Sequence, residues 1–475
     1  MKPSIQLKQP HPAIAESRFR ILFALCCFAL LPGAKAVSPT PDGCYPNFTT
    51  AKGCDALSFL GAGAGNTGVG WRSLFSVGDA NFNTGVGAGT LVLNTGDSNT
   101  AVGAVALLLN STGTQNVALG TDALVFNDTG SDNTAVGAFA LFNNVNGEDN
   151  TAVGSNSLFS NTEGLNNTAT GYSALFNNTT GSNNTATGIN ALLSNTEGEF
   201  NTANGVSALA SNTVGVGNTA TGVSALQSNT TGSENTANGD DALFSNTTGG
   251  DNTAIGGSAL SFNTTGEFNT AIGSEALRNN VSGDSNTAIG EFAGFNITGS
   301  GNVCIGAGVV GFAGESNITR IRNVYESPAT DRAVYVTADG RIGTLSSSRR
   351  YKEEIKPINE ASEMLFALKP VTFRYKKAID PKQALSFGLI AEEVAEANPD
   401  LITRDEAGRP QTVRYEAVNA MLLNEFLKEH RTVQELKEEI AALRATVSEQ
   451  AAQIEKVSAQ VKMNKAVISV AANEP

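Results

Sequence analysis

Asn252-Thr253-Ala254-Ile255-Gly256-Gly257-Ser258-Ala259-Leu260-Ser261-Phe262-Asn263-Thr264-Thr265-Gly266-Glu267-Phe268 is one unit of a repeat that fills the middle of the chain. Its opening motif, Asn-Thr-Ala-x-Gly, begins at Asn66 and returns fifteen times in all, ending with Asn302. The step is 17 residues throughout, except for two steps of 16 that lead into Asn99 and Asn302. Even spacing on this scale marks a solenoid, in which each copy buries its face only against its neighbours. Helical rungs do not fit, because the unit is too short for a helix pair and its Gly, Asn and Thr disfavour helix. The repeat is therefore expected to form one coil of a parallel β-solenoid, with two short strands separated by Gly turns. The third position (Ala135, Ala152, Ala169, Ala186) and the Ala-Leu pair (Ala174-Leu175, Ala208-Leu209) are assigned to a narrow interior. The fourth position varies among Val153, Thr187, Asn204 and Ile272, which suits partial burial. Stacked Asn and Thr can form hydrogen-bonded ladders. At about 4.7–4.9 Å per rung, the rod spans roughly 70 Å. A rod this thin buries little per chain, so several chains are expected to associate. Phe126, Phe142, Phe176 and Phe244, which follow the Ala-Leu pair, are the candidate lining of that contact.

Composition narrows the chemistry. The 475 residues carry a formal charge of −14 and only two His. No Lys or Arg occurs between Arg72 and Arg278, which excludes a basic nucleic-acid groove along the rod. His11 lies in the leader described below, and His430 reads as solvated helix surface. A His-based triad and a His-rich metal site are therefore not expected, and Asp does not recur at fixed repeat positions as a calcium-binding turn would require. No metal or cofactor is expected. The rod itself can be a spacer or an adhesin with a cell-surface or glycan ligand. An ice-binding Thr array is disfavoured by the mixing of Thr with Gly, Asn and Phe.

Arg18 and Arg20 precede an apolar run, Ile21 to Leu31, and then Pro32-Gly33-Ala34-Lys35-Ala36. This order predicts a secretory signal over residues 1–36, cut after Ala36, and a secreted or surface location. No later stretch is apolar enough for a membrane span. In an N-terminal segment over 37–65, export makes a Cys44–Cys54 disulfide plausible. Cys304 stands at the repeat's Ala position and reads as a small buried side chain.

The repeats are placed at 66–316, and the chain changes character after them. A β neck over 317–345 contains Ala333-Val334-Tyr335-Val336 and Arg341-Ile342-Gly343 around an Asp339-Gly340 hairpin turn. An α+β unit over 346–430 should hold a helix through Ala361, Met364, Leu365 and Leu368, a strand at 371–375, and a strand at Phe387-Gly388-Leu389-Ile390 that runs into a helix at 391–397. Two further strands flank Ala407-Gly408, and a long helix starts near Glu416. Over 431–465, Val433, Leu436, Ile440, Leu443, Val447, Gln450, Ile454, Val457 and Val461 alternate at spacings of three and four, a coiled-coil seam. Gln450 is a polar core position suited to fixing register. Residues 466–475 read as a disordered tail.

Two resemblances follow from these residues. The Asn-Thr-Ala-[Val/Ile]-Gly pattern resembles the head repeats of trimeric autotransporter adhesins and phage tail fibres, which implies trimeric β-rolls, though their usual unit is shorter. The segment Ser347-Ser348-Arg349-Arg350-Tyr351-Lys352, then Phe387 to Val394, then Val413-Arg414-Tyr415, resembles the peptidase S74 domain, the intramolecular chaperone of endosialidase-type tailspikes. That resemblance implies a homotrimerising chaperone that cuts itself off by a Ser-Lys dyad, here Ser347 and Lys352, at the peptide bond adjacent to Ser347. With His nearly absent, a Lys deprotonated by its surroundings is the base left for a Ser nucleophile. A five-residue spacing does not fit one helical face, so a turn or a second protomer must join the pair. The family usually has Asp after the nucleophile, whereas this chain has Ser348. An uncleaved adhesin or spacer, with the coiled coil as a permanent trimerisation handle, is the alternative reading.

Overall fold

The computed structural model describes residues 46–324, 334–336, 342–344, 346–377, 379–405 and 407–471. The expected leader, Cys44, the expected turn at Asp339-Gly340 and residues 472–475 lie outside them. The chain divides into two compact units, residues 1–327 and 328–475.

The first unit is a β-solenoid. β1 (Thr50–Lys52) is followed by fifteen strands that open the motif copies, from β2 (Thr67–Val69) to β16 (Val303–Ile305), and then by β17 (Thr319–Ile321). Each strand has three residues, and each pairs in parallel with the next, one repeat on, as Thr253 does with Thr270 and Ala254 with Ala271. The result is a single sheet of 17 strands.

Each coil contains one strand where the repeat pattern suggested two. The Ala-Leu half is a corner, because the residues before and after its Ala take left-handed backbone, as at Ser258 (φ 55°) and Leu260 (φ 51°). Such geometry costs about 1–2 kcal/mol per non-Gly residue. Two gains offset it: Leu260 is wholly buried, and its N–H donates to the Ala276 carbonyl at 2.9 Å. Gly256 closes the strand at φ 130°, where a Cβ would strike the carbon and oxygen of the Gly273 carbonyl in the next coil.

The interior matches the assignment from the repeat. The third-position Ala, the Ala-Leu pair and Cys304 are all buried in one continuous core. Burial pushes the Cys304 thiol above its ordinary value, with Glu315 adding to the rise and Arg320 opposing it. Two Asn columns are buried as well. Asn269 donates its backbone N–H and its Nδ2 to Asn252 Oδ1, both at 3.0 Å. Asn263 Nδ2 donates to Asn246 Oδ1 at 2.9 Å and to the Gly266 carbonyl at 2.9 Å. Thr ladders run beside them, as where Thr179 Oγ1 donates to the Thr196 carbonyl at 2.9 Å.

The aromatic column behaves differently from the contact expected of it. Phe142 is 3% exposed and sits in a second core with Phe75, Val92, Leu108, Val125 and Phe159, against which Phe126 and Phe176 pack. The rings of Phe142, Phe159 and Phe176 stack at 5.0 Å in each step. In-register repetition lets each ring cover part of the one in the next coil, so Phe142 and Phe159 are buried within one chain while Phe126 and Phe176 are partly covered. Phe244 is only partly covered.

The sheet runs one rung past the motif at both ends. Thr49 stands where β1 lacks the motif's Asn. At the other end, β17 places Arg320 at the inward Ala position. Arg320 pairs with both carboxylate oxygens of Glu315, at 2.5 and 2.6 Å, and lies over the Phe312 ring. A charged, paired side chain at the core position closes the apolar stack, as terminal solenoid repeats must.

In the second unit, β18 (Tyr335–Val336) pairs antiparallel with β19 (Ile342–Gly343). A 3₁₀ helix, Asn359–Ala367, precedes β20 (Val371–Phe373), which pairs antiparallel with β21 (Ser386–Gly388). α1 (Ala391–Ala397) follows, then the antiparallel pair β22 (Ile402–Arg404) and β23 (Pro410–Val413), and finally α2 (Tyr415–Ala471), 57 residues long. Val394, Leu401, Ile402 and Val413 form a small core, with Met364, Leu368, Val418 and Met421 against it. Among the described residues, no helix is long and apolar enough to cross a membrane.

Candidate functional site

Ser347 and Lys352 lie on either side of a single 3₁₀ turn, Arg349–Tyr351. Ser348 caps that turn: its Oγ accepts from the Arg350 backbone N–H at 3.4 Å, and its carbonyl accepts from the Tyr351 N–H at 3.1 Å. The position at which the related family usually carries Asp is therefore filled by another oxygen-bearing cap residue, which suits the first turn of a helix. Arg350 Nε also donates to Ser348 Oγ, at 3.3 Å, and the Arg350 guanidinium lies over the Tyr351 ring. The turn ends at Lys352, whose backbone is extended and whose N–H donates to the Arg349 carbonyl at 3.2 Å. Both Ser347 and Lys352 are exposed in the single chain, and no hydrogen bond joins them among the described residues. One turn thus separates the two residues of the expected dyad, and the single chain does not join them.

Behind the turn, the unit is tied together by residues that the motif reading did not single out. Ser362, wholly buried on the 3₁₀ helix, donates to Glu425 Oε1 at 2.5 Å and accepts from Asn424 Nδ2 at 2.7 Å. Lys428 Nζ bridges Glu425 at 2.8 Å and Glu363 at 3.3 Å. The hydrogen bond from Lys428, and then the one from Ser362, hold the Glu425 carboxyl below the usual carboxylate range. The same contact with Glu425 raises Lys428. The only advance signal for this clasp was the Glu425–Lys428 spacing of three on a helix. Tyr415, noted in the motif before the long helix, has a structural task. Its hydroxyl accepts from the Leu389 N–H at 2.9 Å, and a Cβ on Gly388 would lie 2.7 Å from that oxygen and push it aside.

The coiled-coil positions are exposed along α2 in the single chain, with Val433 at 41% and Leu443 at 69%. His430 is exposed, with its ring stacked on Phe426. Cys54 is exposed; its expected partner, Cys44, is outside the described residues.

Residues 347–403 match the peptidase S74 family model, described as the chaperone of endosialidase, and the first matched residue is Ser347. No curated protein matches the chain. The protein thus carries an endosialidase-type chaperone segment behind a repeat β-solenoid.

Proposed function

We propose that the protein is a secreted, trimeric fibre whose C-terminal unit brings three chains together during folding and then severs itself beside Ser347. The observation that carries this reading is the family match that starts at Ser347, with Lys352 one turn further on. In the step proposed, Lys352 Nζ, deprotonated, takes the Ser347 hydroxyl proton as Oγ attacks an adjacent backbone carbonyl carbon. The C–N bond breaks, the proton passes to the departing amine, and water hydrolyses the ester. Backbone N–H groups or Arg349 and Arg350 stabilise the oxyanion. Stripping Lys352 of its proton takes burial. Since a single chain leaves Lys352 exposed, that burial falls to neighbouring protomers, which ties cleavage to assembly. The rod released is an extracellular spacer or adhesin with a surface or glycan ligand.

The test is denaturing mass measurement of the chain lacking its leader, beside Ser347→Ala and Lys352→Ala. Wild type should yield pieces of about 310 and about 130 residues, from 37–346 and 347–475, while both variants stay whole. A wild-type chain that stays whole under conditions where it trimerises rules out self-cleavage and leaves an uncleaved fibre with α2 as its permanent handle.

A further inference from the structure

Phe142 and Phe159 are covered within their own chain, so a contact between rods calls for a more open apolar column. The fourth position of each coil offers it. On every strand the third-position side chain points inward and the second and fourth point out, so the sheet presents two in-register columns. The fourth column carries Val86, Val102 and Leu119 toward one end and Ile255, Ile272 and Ile289 toward the other, each 38–41% exposed with nothing over it in the single chain. Thr170, Thr187, Asn204, Thr221 and Asn238 fill the middle, polar but uncharged. From Thr67 to Ile305 neither column contains a single charged residue, although the chain as a whole stands at −14.

We infer that this strand face is the surface by which the rods of neighbouring copies pack together, in register, apolar at both ends and hydrogen-bonding through Thr and Asn at the centre. The inference rests on the trimer reading above and specifies the face it uses. Charge, area and tethering all favour a second copy as the occupant. An acidic rod repels its own kind everywhere except on an uncharged face, whereas a basic partner would be drawn to turns that carry carboxylates, such as Asp241 and Glu234. The fifteen strands from β2 to β16, at about 4.8 Å and each about 10 Å long, make a strip of roughly 700 Å². That is close to the share of one partner in a standard protein interface, about 800 Å². Finally, the exposed heptad of α2 belongs to the same chain, so association there raises the effective concentration of the rods for one another.

The experiment uses purified full chains in a Cys44→Ser, Cys54→Ser background. Ile272→Cys is treated with a bis-maleimide linker spanning about 10 Å, the spacing of packed sheets. Thr265→Cys, exposed on a turn of the preceding coil, is the control, and Ile255→Cys, on that same preceding coil, repeats the test one rung away. Both Ile variants should give a covalent pair. Because one linker joins two of three chains around a three-fold axis, up to two thirds of the chains should be paired. Thr265→Cys should give only background. If both Ile variants link no better than Thr265→Cys in a sample that light scattering reports as trimeric, the face is wrong while the trimer stands. A monomer by light scattering overturns both.

Discussion

Asn246 shows how much of this rod is carried by side-chain amides. Its Nδ2 donates to Asn229 Oδ1 at 2.8 Å and to the Gly249 carbonyl at 2.9 Å, and its Oδ1 accepts from Asn263. All three groups are shut away from water, where an unmet partner costs about 1–3 kcal/mol. Asn246→Ala strands Asn229 Oδ1 and breaks the column on both sides, while the Gly249 carbonyl keeps its bond from Asn235 Nδ2, so a local loss of roughly 2–3 kcal/mol is expected. Exposed Thr248→Ala should cost little. Hydrogen exchange of the coil around Gly249 measures the difference; equal protection in the two variants would show that the ladder contributes nothing. The recurrence of Asn at this spacing was legible in the sequence, and so was its ability to form ladders. Leu260 in left-handed backbone was not, because that conformation is unfavourable for an isolated Leu and becomes tenable only when the neighbouring coil supplies its hydrogen bond.

Between elements, structure is legible in the sequence where periodicity is local and hidden where coverage comes from the adjacent coil or from a distant residue. The Val371–Phe373 and Ser386–Gly388 strands, α1 and the start of α2 were all visible as alternation or helical spacing. The self-covering Phe142 column was not, since a lone Phe after Ala-Leu looks the same whether it faces solvent or the next Phe. Nor was the clasp of Ser362 to Glu425, 63 residues apart. This clasp has a pH signature. Glu425 is held below the usual carboxylate value, so its contribution is fully present above the unfolded value, about 4.3, and is lost as pH falls toward the depressed folded one. Lys428 is raised, so its contribution is present below about 10.4 and lost only as pH climbs through its higher folded value. Both operate at neutral pH. Acidification below about pH 4 should therefore loosen the 3₁₀ helix from α2. Glu425→Gln should lower the melting temperature of the C-terminal unit at pH 7 and flatten its fall between pH 7 and pH 3, followed by circular dichroism on the full chain. A variant that tracks the wild-type acid curve would assign the sensitivity to other carboxylates.

For the whole molecule, the two units pose opposite problems. The solenoid meets most of its needs along its own axis, whereas α2 leaves an apolar seam uncovered through most of its 57 residues. Ile440 is 53% exposed in the single chain, so substitution there disturbs little within it and acts mainly on assembly. Ile440→Lys with Leu443→Lys places two charges per chain in the seam of a coiled coil, where desolvating them is unfavourable. Light scattering should then report single chains at micromolar concentration, while the far-ultraviolet signature of the rod persists. The same variant decides how the dyad closes. Ser347 and Lys352 are exposed and unjoined in one chain, so if their meeting depends on burial by neighbours, the monomeric variant must stay whole in denaturing mass analysis. Should it still split at the wild-type rate, the Arg349–Tyr351 turn alone closes the dyad, and cleavage would not depend on assembly.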